Sequence, residues 1–181
     1  AELTRALYHD LPGLLTPPQA LLQAVLESYA VERGGWYLRE EDSPAARRSE
    51  LTAMRALVQN IGRRLGYAVS APANAPVTWA DAEQPAYVLH VSASALMGKV
   101  AAAPPVAGAQ TVLVIPGGRA GLIAYKRKRD PALRAASQEW HFLKYRHLRQ
   151  IADLPLLTRE TWPELLRSDP IEQLGGQMML F

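Results

Sequence analysis

The sequence predicts an α/β fold, a mixed sheet of about four or five strands flanked by helices, with a helical N-terminal cap. Three observations predict it. Thr111-Val112-Leu113-Val114-Ile115 is an unbroken run of β-formers closed by Pro116-Gly117-Gly118, the pattern of a strand buried on both faces. A helical stretch ending in Lys126-Arg127-Lys128-Arg129 follows. After Asp130-Pro131 and a short helix comes Trp140-His141-Phe142-Leu143-Lys144-Tyr145, which alternates as a strand does. Strand, helix, strand in this order predicts a parallel pair joined by a crossover.

The remaining elements follow from local signals. Thr16 followed by Pro17 reads as a helix start, and Leu21, Leu22, Val25, Leu26 and Tyr29 recur at helical spacing, so residues 17–31 are expected to be an amphipathic helix. Gly34-Gly35 stops it, and Trp36 to Arg39 is a short extended piece. Ser43 as N-cap and Pro44 at the first helical position open the longest helix, residues 44–65, beside the acids Glu40, Glu41 and Asp42. Leu51, Met54, Leu57, Val58, Ile61 and Leu65 form its apolar stripe, and Gly66 ends it.

Tyr67 begins a strand, residues 70–75 are a loop, Pro76 to Trp79 is a short strand and Asp81 to Pro85 a turn. Ala86 to Val91 is a strong strand, running through Ser92 and Ser94 into a helix over residues 94–103. Arg146 to Ala152 reads as a short helix. A last helix is capped at Thr161 with Pro163 in its first turn. Three segments result: a cap over residues 1–42, an α/β core over 43–153, and a C-terminal helix and tail over 154–181.

With 181 residues, 49% of them hydrophobic, the chain is long enough for one domain with a real core. The absence of cysteine excludes disulfides and thiolate metal sites. No apolar run approaches bilayer length, and the first residues lack a basic start followed by an apolar stretch, so the expectation is a cytoplasmic chain without a membrane partner. The net charge of +3 is unevenly spread. Residues 111–150 hold nine basic residues against Asp130 and Glu139, a local charge of +7 that leaves the rest of the chain at −4.

The order of long helix, three strands, helix, strand, helix, strand over residues 44–150 resembles the plan of the restriction-endonuclease-like, or PD-(D/E)XK, nucleases. That resemblance implies a Glu on the first core helix, which Glu50 supplies, an Asp at the start of the second strand, and a closing (D/E)-x-(K/E/Q) on the third. Such acids bind Mg²⁺, which activates water. Here the second strand, Pro76-Val77-Thr78-Trp79, carries no acid, and His90 and Ser92 stand where the third strand's acids belong. The resemblance therefore implies shared fold with cleavage lost, in a domain of the kind appended to bacterial DNA-modification or restriction proteins.

The leading expectation is a catalytically inactive nuclease-like domain that binds a DNA backbone or anchors a larger DNA-processing protein. Lys126, Arg127, Lys128 and Arg129, with Arg119, Arg134, Arg146 and Arg149, are the candidate phosphate contacts. A solvated helix end, where cations suit the negative dipole, is the plainer account of the four-residue run. His90, in mid-strand, reads as a core histidine, and the four histidines have no metal-ligand spacing. No metal or other cofactor is expected on this reading. An active nuclease would need Mg²⁺ on migrated acids, Glu50, Asp81 and Glu83. A third expectation is an interaction or dimerisation module whose contact surfaces are the apolar tail, Met178-Met179-Leu180-Phe181, and the N-terminal helix.

Overall fold

A computed structural model describes residues 17–171 together with Arg5 and His9. Thr16 and the Met178 to Phe181 tail lie outside the described residues. The fold is α/β, with a five-stranded mixed sheet flanked by helices. Helix α1, Gln19–Tyr29, leads into a two-stranded antiparallel ribbon of β1, Ala30–Glu32, and β2, Trp36–Leu38. A single 3₁₀ turn, Glu40–Asp42, then hands the chain to α2, Pro44–Arg64. Ser43 Oγ accepts from Ala46 N at 3.3 Å, and Gly66 takes φ +76° just past the helix, so both ends of α2 follow from the residues that flank it.

Strands β3, Ala68–Ser70, β4, Val77–Asp81, and β5, Gln84–Val91, form an antiparallel meander. The chain then makes one helical turn, α3 (Gly98–Ala101), before β6, Gln110–Ile115. A 3₁₀ turn, Gly117–Arg119, runs into α4, Ala120–Arg129, and α5, Pro131–Ala136. Asp130 caps α5, its carboxylate accepting from Leu133 N at 3.0 Å. Strand β7, His141–Lys144, is followed by α6, Tyr145–Asp153, and α7, Trp162–Arg167. The sheet order is β3-β4-β5-β6-β7, with β5, β6 and β7 parallel, as the strand–helix–strand reading expects.

Alternation along β6 separates two cores. Val112 and Val114 pack with Met54, Val58 and Ile61 of α2, Leu148 and Ile151 of α6, and Trp162. Leu113 and Ile115 face the other way, onto Ala120, Leu122 and Ile123 of α4, with Leu21 and Tyr29 of α1 against them. The first core centres on Trp79, wholly buried, with ring centroids 5.7 Å from Tyr67, 5.6 Å from Tyr87 and 5.0 Å from Trp162. Lys144, buried at the end of β7, donates to Asp169 at 2.5 Å and holds the segment after α7. Burial alone would raise the Asp169 pKa, but hydrogen bonds and charges from Lys144 and Arg146 bring it below the ordinary value.

Four local expectations are corrected. The helix predicted over 17–31 begins after Pro18 and ends at Tyr29, because residues 30–32 pair with β2; the ribbon partner was too short to announce itself. The helix predicted over 94–103 is a single turn. Ser94 N donates to Ser92 Oγ and Leu96 N to Ser94 Oγ, so these hydroxyls hold a turn in place of a helix. The turn predicted from Asp81 to Pro85 shrinks to Ala82 and Glu83, both at positive φ, and β5 starts at Gln84. Thr161 makes no cap to α7 and instead accepts from Thr158 N. Among the described residues, no helix is long and apolar enough to cross a membrane.

Gly62 lies against the Trp79 ring, and a Cβ there would stand 2.5 Å from Trp79 Nε1. Alanine would gain about 1 kcal/mol of helix propensity but must displace a ring closed in by three others. Gly62→Ala is expected to lose about 1–2 kcal/mol net, read as a lower urea midpoint with an unchanged slope.

Candidate functional site

The carboxyl ends of the parallel strands are where the chain parts in two directions. After β6 the backbone turns through Pro116 to Arg119 and sends α4 to one face; after β7, α6 leaves for the other. Divergence of this kind opens a crevice at a topological switch point. A cavity of 470 Å³ lies there. It is lined from β6 by Pro116, Gly117, Gly118 and Arg119, and from α6 by Tyr145, Arg146 and Arg149. The α2 side contributes Ala46, Arg47 and Glu50, and Arg39, Glu41, Asp42 and Ala93 complete the lining.

Arg119 is the most deeply buried of the lining residues, 1% exposed. Its Nη1 donates to Ser28 O and to Ser28 Oγ, its Nη2 to Asp42 Oδ1, and its Nε to Ala93 O at 3.3 Å. The guanidinium also lies 3.6 Å from the centre of the Tyr29 ring. Burial lowers its pKa, Tyr29 and Glu41 oppose that shift and Arg39 adds to it; an arginine so placed stays charged. Arg47 approaches the same Asp42 at 3.6 Å, and its buried Nε makes no hydrogen bond. Glu50 is paired with Arg149, and Arg146 reaches Asp169 at 3.3 Å.

Close backbone contact closes the floor. Ser28 Oγ donates to Gly118 O at 2.8 Å, and a Cβ on Gly118 would meet Ser28 O at 3.3 Å and Arg39 Nη1 at 3.5 Å. Tyr145 is buried, and its hydroxyl donates to Ser92 O at 2.9 Å. Burial pushes its pKa well up, Glu50 adds to the rise and Arg119 and Arg149 oppose it, so the phenol is neutral.

A second crevice, 850 Å³, adjoins the first across the end of β5: Ser92 and Ser94 line one where Ala93 lines the other, and Leu51 faces it where Glu50 faces its neighbour. This is where the nuclease resemblance calls for carboxylates. Its charged lining is Arg55 and Lys99, with His90, and it contains no acid. Arg55 donates to Ala75 O at 2.8 Å and Pro72 O at 2.9 Å. Burial lowers the His90 pKa, so the imidazole is neutral at neutral pH.

No protein-family model, curated protein or solved structure matches the chain. The site is therefore read from its own geometry.

The structure divides the eight cations that the sequence singled out. Arg119, Arg146 and Arg149 meet at the switch-point crevice. The others lie toward the far end of α4, whose ten residues span about 15 Å at the ordinary helical rise. There Lys126 donates to Ala95 O at 3.0 Å, Arg127 to Ser137 Oγ at 3.0 Å, and Arg134 to the carbonyls of Arg127 and Lys128. Lys128 and Arg129 are exposed. None of these five lines the switch-point crevice, and Lys126, Arg127 and Arg134 are engaged by oxygens of neighbouring segments.

Of the three carboxylates of the nuclease alternative, Glu50 lies far from the other two. Asp81 is held at 2.9 Å by Arg159, which also donates to Leu65 O and Gly66 O beyond the end of α2. Glu50 lies near the start of the same helix, about 22 Å away along its axis. Glu83 lies in the β4–β5 turn. Among the described residues, no three His, Asp or Glu side chains converge, so this donor set does not fit Mg²⁺. Asp42, Arg39 and Arg47 were not singled out from sequence. Asp42 read as an acid favouring a helix start, and nothing local signals a partner 77 residues away.

Removing one partner of a buried ion pair strands the other. Asp42→Ala is expected to cost about 3–5 kcal/mol, and the Asp42→Ala/Arg119→Met double variant clearly less than the sum of the single losses. A double-mutant cycle by urea denaturation measures the coupling.

Proposed function

We propose that this chain is a catalytically inactive, nuclease-like domain that holds a DNA backbone along the carboxyl edge of its sheet. One observation carries the reading. The two adjoining crevices on that edge are lined by seven Arg and Lys side chains and three carboxylates, and two of those carboxylates, Asp42 and Glu50, are already engaged by arginines. A surface of that sign favours phosphates and disfavours a hard cation. The order of elements supports the nuclease-like part: a long helix, an antiparallel meander, then two strands parallel to its last member. The lining of the second crevice, His90 and Ser92 among cations and no acid, supports the loss of cleavage. The contacts proposed are Arg47, Arg146 and Arg149, with Lys99 on the neighbouring rim. The contacts proposed are to phosphates, which carry no sequence information. In such a role the domain tethers a larger DNA-processing protein to its substrate.

Fluorescence anisotropy with a labelled DNA, across a salt series, tests this. Wild type is expected to bind with a clear negative slope of log K against log salt. Arg146→Gln/Arg149→Gln should weaken binding and shallow the slope by about two phosphate contacts, whereas Lys128→Gln/Arg129→Gln, at the far end of α4, should leave both nearly unchanged. Absence of binding at low salt overturns the reading.

A further inference from the structure

We infer that the switch-point crevice is a phosphomonoester site, filled by the terminal phosphate of a DNA strand or by a free nucleoside monophosphate. The inference rests on the polyanion reading above and narrows it from a surface to a recess. Charge is the first argument. Five arginines against three carboxylates leave a surplus of two positive charges in the lining. A phosphomonoester carries about −1.5 to −2 at neutral pH, whereas each internal backbone phosphate carries a single negative charge, so the surplus matches a strand end better than a strand interior.

Donor capacity is the second. Arg47 brings a buried Nε with no hydrogen bond, and its partner Asp42 is shared with Arg119. Arg149 is 47% exposed at its side chain and, among the described residues, is held from the Glu50 side, so both guanidiniums can turn a fork toward a planar pair of oxygens. Shape is the third. The volume of 470 Å³ is that of a small-molecule site rather than of a duplex track. The space around Gly117 is open for 4 Å where a side chain would start, so backbone lies bare on the crevice wall. The position, outside the carboxyl ends of parallel strands whose helices part, is where open α/β sheets bind their ligands.

The test compares one single-stranded oligonucleotide with and without a phosphate at its end, by anisotropy at low salt, and titrates inorganic phosphate, adenosine monophosphate and adenosine by calorimetry. The phosphorylated strand is expected to bind about tenfold tighter, the worth of one charge-assisted hydrogen bond. Arg47→Gln/Arg149→Gln should erase that difference while a melting curve shows the fold intact. Arg47→Gln alone, on the rim, serves if the double variant does not fold. Competition by adenosine monophosphate and not by adenosine would identify a free nucleotide as an occupant; loss of competition with full discrimination between the strands would assign the site to strand ends. Equal binding of both strands, with no heat from phosphate or adenosine monophosphate, overturns the phosphomonoester site and leaves backbone binding standing. Binding of the small phosphates with no binding of either strand overturns backbone binding and leaves the site standing.

Discussion

A single guanidinium, that of Arg119, joins the pieces of this protein that meet above the parallel strands. It donates to Ser28 near the end of α1, to Asp42 in the turn before α2 and to Ala93 beyond β5, and it stacks on Tyr29. A buried charge of this kind adds little net stability over a well-packed apolar side chain. What it adds is direction: five donors in a rigid plane fix three backbone segments at once, which a leucine cannot do. The helical N-terminal segment is thereby set against the strand ends, and the walls of the crevice inherit their spacing from that one contact.

The charges around it are ordered by depth. The innermost arginine, Arg119, makes four hydrogen bonds, whereas among the described residues Arg146 and Arg149 are each held by one carboxylate. A hydrolytic metal centre needs the opposite arrangement, several oxygens converging on a point with their charges left unpaired. Here the acids serve to aim arginines. Glu50 orients Arg149, Asp42 is shared between Arg119 and Arg47, and Asp169 steadies both Lys144 and Arg146. Each of these three carboxylates is thereby engaged by at least one cation.

Much of the fold was legible because its signals are local. Ser43 and Pro44 start α2 within one residue of its observed beginning, and the run from Thr111 to Ile115 is the central strand. The alternation read through Phe142 and Leu143 corresponds to the two cores on which they lie, one on each face of the sheet. The failures are those of long range. Residues 30–32 became a strand only because β2 returns beside them, and Ser92 and Ser94 hold a turn through their own hydroxyls where a helix was expected. The site was half legible. Arg119, Arg146 and Arg149 follow the two strands that end at the crevice, so their meeting follows from the topology. Lys126 and Arg127 looked equally available in sequence, yet each is engaged by a neighbour that periodicity cannot reveal, Ala95 O and Ser137 Oγ.

The outer strands of the sheet have a consequence of their own. One margin is β3, three residues long, and the other is β7, four residues long with a buried lysine at its end. A margin that brief bares only a few unpaired amide groups, too few to template a neighbouring strand. Lateral growth of the sheet, whether by a peptide adding itself or by two copies zipping edge to edge, is thereby discouraged.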